Sequence, residues 1–293
     1  ETAADRRLNP NNPFAAQGQV ARIYGYFGEL ENSTETLSRS YRAAAGLQGT
    51  INDVWQVNFD ITGSRVDLKR EERGNIYAAR LFEAIGRGTY NFVDPSANTQ
   101  EQREFIAPTN IHNSTSEMFM MQASVGRDLF DLPGGPLQLG VGASLRYEAI
   151  NNPSGNPEVA GQPFERYFVL NGTGFTGSRW VRAGYGEINA PILDEVEINL
   201  SGRYDNYSSG QDSFSPRAGV KITPIPQVAF RGSWSRGFRI PSFAEANGLP
   251  TTGYIPVAAP PQSFQDMHPG TNYSNSYSVG LTSIGTPDLE PEK

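Results

Sequence analysis

The fold is decided by one short stretch of sequence, FRGSWSRGFRIPSFAE, at residues 230–245. In an extended strand, alternate side chains point to opposite faces, so Arg231 lies on one face while Phe230, Trp234 and Phe238 lie on the other. A soluble sheet would bury the aromatic face in a core and leave the arginine in water. A membrane-spanning sheet would turn the aromatic face to lipid and the arginine to a wet interior. The rest of the chain has to distinguish these alternatives.

The composition of the chain favours an all-β fold. Glycine (31) and proline (21) are frequent, and aromatic residues are numerous, as expected for strands joined by many turns. No apolar run approaches the ~20 residues of a membrane helix, which excludes helical spans but not alternating strands. The net charge of −7 argues against a nucleic-acid binder. The absence of cysteine excludes disulfides and thiolate metal sites.

Alternating apolar and polar residues recur along the chain and predict about eight or nine long antiparallel strands. The first two runs, 36–51 and 54–68, are separated only by Asn52 and Asp53 and therefore predict a hairpin. The other runs lie at 114–130, 137–150, 179–192, 195–208, 213–223, 228–240 and 273–283. Runs of ~10–15 residues exceed the ~5–6 residues of a typical soluble strand and suit strands that cross lipid at a tilt.

The connections between these runs alternate in length. Those at 52–53, 131–136, 192–194 and 224–227 are tight, whereas those at 70–112, 151–178 and 242–272 are long; residues 209–212 are the short exception. A short helix is predicted at 76–85 inside the first long connection. Short turns at one end and long loops at the other are typical of an outer-membrane β-barrel, with periplasmic turns and extracellular loops.

The two faces of the predicted strands differ in chemistry. One face is aliphatic and aromatic, whereas the other carries Gly, Ser, Asn, Gln, Arg and Glu. A charge facing lipid costs ~2–4 kcal/mol at the membrane midplane and little in a wet lumen, so Phe230 and Trp234 are expected to face lipid. The arginines expected to face the lumen are Arg42, Arg146, Arg203 and Arg231. A soluble β-sandwich with one solvated face is the alternative.

Three motifs between residues 203 and 245 resemble the barrel of TonB-dependent receptors, which are outer-membrane active transporters with a 22-strand barrel and an internal plug. The motifs are RYDNYS (203–208), SPRAG (215–219) and RGSWSRGFRIPS (231–242), and LEPEK (289–293) resembles the start of the family's following strand. The matching residues are Arg203, Tyr204, Asp205, Tyr207, Ser208, Pro216, Gly237, Phe238, Arg239 and Pro241. The stretches 9–14, 90–99 and 129–148 are also similar to the family's central region.

The resemblance implies an antiparallel transmembrane β-barrel, of which residues 1–293 would form one part. The chain shows no TonB box, plug domain, separate second domain or closing strand with an aromatic end. Eight or nine strands are too few for the family's barrel, and an open sheet would expose unpaired edges and an apolar face. We therefore expect the chain to be the central portion of a larger receptor.

The resemblance also implies a function and a set of partners. The function would be import of a scarce, large solute, namely a ferric siderophore, a vitamin or an oligosaccharide, across the outer membrane of a Gram-negative bacterium. The TonB–ExbB–ExbD complex would supply energy through the plug, lipid and lipopolysaccharide would surround the barrel, and a surface lipoprotein is a further partner in the glycan-importing branch. The inward arginines would line the passage or pair with the plug. A passive porin-like barrel and a soluble carbohydrate-binding β domain are the alternatives.

No catalytic or cofactor site is predicted. The GTGFTG stretch at 172–177 precedes a predicted strand, whereas a dinucleotide fingerprint needs a helix there. Aromatic side chains on outer loops can stack on sugar rings or on aromatic siderophore groups. The candidates for such contacts are Tyr90, Phe92, Phe175, Tyr254 and Phe264. The alternative is that they hold the loops together or belong to an interfacial aromatic belt.

Overall fold

A single antiparallel sheet of eight strands, each paired with the next along the chain, dominates the structure, which is a computed structural model. The structure describes residues 8–20, 27–157, 159–162, 164–168, 174–268 and 277–292, without the side chains of 251–257 and 277–280. The strands are β1 (Ser33–Ile51), β2 (Trp55–Arg73), β3 (Asn110–Leu132), β4 (Gly135–Asn152), β5 (Phe175–Leu193), β6 (Val196–Tyr207), β7 (Asp212–Ile225) and β8 (Val228–Ser235). The strand order confirms the predicted series of hairpins.

The tight turns lie together at one end of the sheet, which we name the turn end. Asn52 and Asp53 join β1 to β2 with φ values of 52° and 56°, the left-handed geometry of a two-residue hairpin turn. Residues 133–134, 194–195 and 226–227 make the equivalent joints further along the chain. The connections 74–109, 153–174 and 208–211 lie at the opposite loop end. The predicted alternation of turns and loops is therefore confirmed.

The first three strands extend further toward the loop end than the apolar alternation predicts. β2 continues to Arg73 and β3 begins at Asn110, so the first long loop shortens from 70–112 to 74–109. The added strand is charged, and Arg73 lies 3.0 Å from Glu35 on β1 and 3.1 Å from Glu71. Ion pairs between and along the strands stabilise this part, and they leave no apolar periodicity for a sequence pattern to detect.

The pairing register divides the side chains of the sheet into a polar face and an apolar face. Directly paired residues share a face, and Arg231 pairs with Lys221, which pairs with Glu197. The four arginines predicted to point inward, Arg42, Arg146, Arg203 and Arg231, all fall on this polar face. Their orientation toward one common side is thus a property of the register.

The apolar face is exposed over most of its area. Leu47, Leu200, Phe230 and Trp234 are exposed by 75%, 50%, 63% and 61%, values that a soluble core would not show. Toward the loop end the face carries aromatic rings, and Tyr147 and Trp180 lie side by side with ring centroids 4.9 Å apart. These rings have the position of the aromatic girdle that flanks the apolar band of a membrane barrel.

The height of the apolar band matches a lipid bilayer. On β1, the band runs from Tyr41 to Ile51, which at ~3.3 Å per residue is roughly 33 Å of strand. A strand tilted by about 40° spans ~25 Å of membrane over that length, the height of the apolar band in outer-membrane barrels. Charged residues begin on this face at the level of Tyr41, which pairs directly with Arg65, and Arg39 follows two residues further toward the loop end.

Two strand predictions were wrong in detail. β8 ends at Ser235, not at residue 240, and the chain then leaves the sheet. Phe238 therefore does not share a face with Phe230 and Trp234; it lies on the polar face, against Tyr207. The last predicted strand, 273–283, does not join the main sheet, because β10 (Tyr277–Ser283) pairs only with β9 (Thr251–Val257) in a separate hairpin.

Short helices occupy the loop-end connections. The predicted helix at 76–85 is confirmed as α1 (Ala78–Arg87), whereas α2 (Gln100–Ile106), α3 (Phe243–Asn247) and α4 (Gln262–Met267) were not predicted. None of the described helices is long and apolar enough to cross a membrane.

The first long loop has a small core of its own. Ala84, Tyr90, Ile106 and Ala107 are buried together. The second long connection docks on this loop through main-chain hydrogen bonds, since Tyr77 and Tyr167 form an antiparallel bridge and the amide of Ala78 donates to the carbonyl of Arg166 at 2.8 Å. The two loops consequently form one packed unit.

A charge placed on the apolar face tests its assignment to lipid. We expect Phe59→Arg to lower the free energy of unfolding of the protein in lipid vesicles by about 2–4 kcal/mol, because the arginine would have to leave water at mid-band. The matched control is Asn58→Arg, one residue earlier on the polar face, which should change stability by less than about 1 kcal/mol. Urea unfolding followed by tryptophan fluorescence measures both, and equal losses would contradict the assignment.

Candidate functional site

The polar face carries a network of arginine–carboxylate pairs where β4, β5 and β6 meet. The RYDNYS motif lies at the end of β6, and its residues Arg203 and Asp205 form the centre of this network. Nε of Arg203 donates to both carboxylate oxygens of Asp205 at 3.0 Å, and Nη2 donates to Ser144 Oγ at 3.3 Å. Asp205 is only 5% exposed, so the arginine compensates a charge that burial would otherwise penalise.

A second group of charges lies one step toward the loop end. Glu148 on β4 stands between two arginines, with Arg146 Nε 2.9 Å from Oε1 and Arg179 Nε 2.8 Å from Oε2. The Arg179 contact is an aligned hydrogen bond. The Nε–H of Arg146 is not aligned with the carboxylate and has no hydrogen-bond partner among the described residues, so that contact is ionic only. Sequence reasoning identified Arg146 and missed Arg179, which lay near the predicted start of β5.

The stretch that follows β8 folds back over this network. Residues 236–249, which we name the strap, leave the sheet at Ser235 and cross the polar face of β5 and β6. Phe238 packs edge-on against Tyr207 with ring centroids 6.1 Å apart. α3, within the strap, lies so close to β5 that a Cβ on Gly177 would sit 2.5 Å from Phe243 Cδ1, which explains a glycine at this position.

Arg239 connects the strap to the LEPEK segment. Its guanidinium donates to both carboxylate oxygens of Glu245 at 2.9 and 3.0 Å and to both of Glu292 at 3.1 and 2.8 Å. Main-chain hydrogen bonds of 2.9 and 3.0 Å also join residues 239 and 292. Two segments that the sequence linked only by family resemblance are therefore in direct contact.

Glu245 is also the N3 residue of a capping box. Its carboxylate accepts from the amide of Ser242 at 2.8 Å, while the Ser242 hydroxyl accepts from the amide of Glu245 at 3.3 Å. The hydrogen bonds from Arg239, and then those from Ser242, lower the pKa of Glu245 to about 2. The S-x-x-E spacing at residues 242–245 is a sequence signal of a helix start that could have located α3.

The strap and the polar face of the eight-stranded sheet, which we name the wall, together line a partly open cavity of about 630 Å³. Arg146, Arg203, Asp205 and Tyr207 line it from the wall, and residues 237–240 line it from the strap. The volume falls within the ~300–1,000 Å³ usual for small-molecule sites. Its lining is a mixture of paired charges and aromatic rings, and no group of three or more acidic or histidine side chains among the described residues could hold a metal ion.

The structure places the predicted loop aromatics in different environments. Tyr90 is 1% exposed and donates its hydroxyl to Glu29; burial, and then this hydrogen bond, raises its pKa. Phe92 is half-buried beside it, with ring centroids 4.9 Å apart. Both residues hold the first loop together, which is the alternative that the sequence left open. Phe92 keeps an accessible part, and ligand contact there stays a prediction.

The other three candidates lie elsewhere. Phe175 begins β5 and its main chain bridges Gly248 in the strap, so it is a strand residue and not a loop residue. Phe264 is 39% exposed and stacks on His268 at 4.2 Å. Tyr254 falls in β9, where side chains lie outside the described part of the structure. Contact of any of them with a ligand stays a prediction.

The two-faced sheet with turns at one end and loops at the other defines a segment of an outer-membrane barrel wall. Residues 2–293 match the family described as "TonB dependent receptor-like, beta-barrel". The chain belongs to this family, whose members are transporters in the outer membrane of Gram-negative bacteria and not enzymes. The predicted family, fold class and location are thereby confirmed.

Solved structures of similar fold include the siderophore receptor PirA from Acinetobacter baumannii, with 13% identity, a TM-score of 0.53, and coverage of 87% of this chain and 31% of that chain. A mutant of the ferric enterobactin receptor PfeA from Pseudomonas aeruginosa has 13% identity and a TM-score of 0.48, with coverage of 87% of this chain and 31% of that chain. PirA from P. aeruginosa has 16% identity and a TM-score of 0.41, with coverage of 87% of this chain and 41% of that chain. The chain thus spans less than half of the length of these receptors. No curated protein matches it.

The low pKa of Glu245 leads to a pH prediction. Because the folded-state value of about 2 lies below the unfolded value of ~4.3, Glu245 adds stability that is fully present above about pH 5 and is lost as the pH falls toward 2. We expect Glu245→Gln to flatten the fall in melting temperature of the detergent-solubilised receptor between pH 5 and 2, as followed by circular dichroism. Glu83→Gln, at an exposed glutamate of α1, is the control; equal slopes for wild type and Glu245→Gln would refute the prediction.

Proposed function

We propose that this chain forms part of the wall of an outer-membrane active transporter that binds a scarce, large solute and imports it with energy transmitted by TonB. The observation that carries the proposal is the family match over residues 2–293. The geometry agrees with it, because one face of the sheet suits lipid and the other suits a wet lumen.

The charge pairing on the polar face supports an active carrier more than an open pore. A water-filled pore tolerates unpaired charges, whereas the three arginines in the middle of this face, Arg146, Arg179 and Arg203, are matched with carboxylates. The carboxylates are those of Glu148, which is half-buried, and Asp205, which is buried. Such matching is useful where a wall has to stay neutral against another protein element or a passing solute. Arg42 and Arg231 have no ion pair among the described residues and lie nearer the two edges of the sheet; we assign them to the same lumen.

The extent of the chain and its partners follow from the same proposal. Residues 1–293 would form one continuous barrel segment without a plug or second domain of their own. TonB, with ExbB and ExbD, would act through a plug outside this segment. Lipid and lipopolysaccharide would contact the apolar face, and a surface lipoprotein would contact the loops. The net charge of −7 gives no basis for a nucleic-acid partner.

Three classes of solute are proposed, and they are named in the order in which we would test them. Ferric siderophores come first, since PirA from Acinetobacter baumannii, whose fold is similar, is a siderophore receptor. Its identity to this chain is too low to transfer a ligand, so vitamins and oligosaccharides remain in the test set. The partly exposed aromatics Phe92 and Phe264 are the proposed loop contacts.

An uptake experiment tests the proposal. Cells with and without the gene for the intact receptor would be given iron-55 as ferric siderophores, cobalt-57 cobalamin, or labelled oligosaccharides under starvation for each. We expect one class to enter only when the receptor is present, and its uptake to fall to background when TonB is deleted or a protonophore collapses the proton gradient.

Two results would overturn the proposal. Receptor-dependent uptake that survives deletion of TonB would indicate a passive barrel. A native polypeptide of mass near 32.0 kDa that extracts from cells in plain buffer would indicate a soluble β domain. A detergent-extracted polypeptide of two to three times that mass is the result expected for a segment of a larger receptor.

A further inference from the structure

One side chain of the wall contacts both a carboxylate of the wall and the main chain of the strap. Arg179 on β5 is 15% exposed, although it is a charged residue on a polar surface. On the wall side its Nε donates to Glu148 at 2.8 Å. On the strap side its Nη1 donates to the carbonyl of Pro241 at 3.1 Å. One guanidinium thus joins a strand of the wall to the main chain of the strap.

Aromatic rings from both sides enclose the same guanidinium. Its central carbon lies 4.5 Å from the ring centroid of Phe243 in the strap and 5.7 Å from that of Tyr207 in the wall. Cation–π contacts of this kind strengthen when they are shielded from water. A planar guanidinium can donate in two directions and stack on a ring at the same time, which an ammonium cannot do.

The other polar contacts between strap and wall in the described residues lie at the two ends of the strap and involve no charged group. Where the strap begins, the amide of Arg236 donates to the Pro216 carbonyl at 3.1 Å. The Asn247 side chain donates to the Thr176 carbonyl at 3.0 Å, and the amide of Leu249 donates to the Gly174 carbonyl at 2.8 Å, both at the loop-end tip of β5. The Arg239 cluster ties the strap to residue 292 and not to the wall. Arg179 is therefore the charged contact between strap and wall within the described residues.

We propose that Arg179 is a positioning residue that holds the strap across the polar face, and that the strap held in this way narrows the passage through the receptor. The part about the passage rests on the proposed function, since it assumes that the polar face lines the lumen. The cavity beneath residues 237–240 marks the space that the strap covers. Releasing Arg179 frees the strap from the wall while the strands keep their ladder hydrogen bonds.

Hydrogen exchange of the intact receptor in detergent tests the position of the strap. In Arg179→Ala, we expect peptides within 236–249 to exchange roughly 10-fold faster or more, the effect of losing a charge-assisted hydrogen bond, while peptides of β4 and β6 keep their rates. Arg146→Ala is the matched control, because it removes the other arginine on Glu148 and has no contact with the strap. Equal strap exchange in the two variants would overturn the proposal.

Two further variants separate positioning from a general loss of structure. Arg179→Lys keeps the charge beside Glu148 and should keep the receptor folded, yet it should not restore slow exchange in the strap. Gly177→Val leaves Arg179 in place and pushes on Phe243 from below, so it should also speed exchange in the strap. If Arg179→Lys protects the strap as well as arginine does, charge alone suffices and the proposed clamp is wrong.

Labelling of a cysteine placed in the covered cavity tests the passage. The chain has no cysteine of its own, and Ser215 lines the cavity. In a Ser215→Cys background, a bulky maleimide should react with residue 215 several-fold faster in Arg179→Ala than in Arg146→Ala, as read from the mass of the peptide that contains it. Faster exchange without faster labelling would show a positioned strap that does not narrow the passage, which overturns that half of the proposal. Because exchange needs no transported solute, failure of the uptake experiment would leave the exchange result unaffected.

Discussion

Backbone hydrogen bonding is the constraint on which the rest of this structure depends. Lipid offers no donors or acceptors, so a strand that crosses it must satisfy its main chain through its neighbours. β2 meets this requirement on both sides, through β1 from the pair Ser33–Arg73 to the pair Ile51–Trp55 and through β3 over residues 56–72. Once that ladder is fixed, the period of two assigns every side chain to lipid or lumen, and a slip of one residue would exchange the two faces.

The charges of the polar face are a consequence of this division into two faces. A face without apolar packing is held rigid by hydrogen-bonded ion pairs. The pair of Arg203 with the buried carboxylate of Asp205 is an example. The same chemistry extends to Arg179, where one partner is a carboxylate of the wall and the other is a carbonyl of the strap. The motif residues around 203–242 therefore form one structural unit, although the sequence presents them as three separate strands.

The sequence was informative where periodicity and turn chemistry agree. The hairpin at Asn52 and Asp53, the strand order and the common face of Arg42 and Arg231 follow from local rules. The strap did not follow, because the alternation of Phe230, Trp234 and Phe238 continues past the point where β8 ends. Nothing local to Phe238 shows that Tyr207, 31 residues earlier, is its partner. The charged extension of β2 was missed for a related reason, since ion pairs leave no apolar period to detect.

The main-chain hydrogen bonds between the first and second long loops have a consequence for how the sequence of this surface can evolve. The Tyr77–Tyr167 bridge and the hydrogen bond from Ala78 to the carbonyl of Arg166 belong to the main chain, so exposed side chains such as Phe164 can be replaced without removing them. A cell-surface region built in this way can alter the features that antibodies and bacteriophages recognise while its shape is preserved. Selection for changed recognition then acts on the side chains of these residues, whereas selection for a stable loop fold acts on their main-chain atoms.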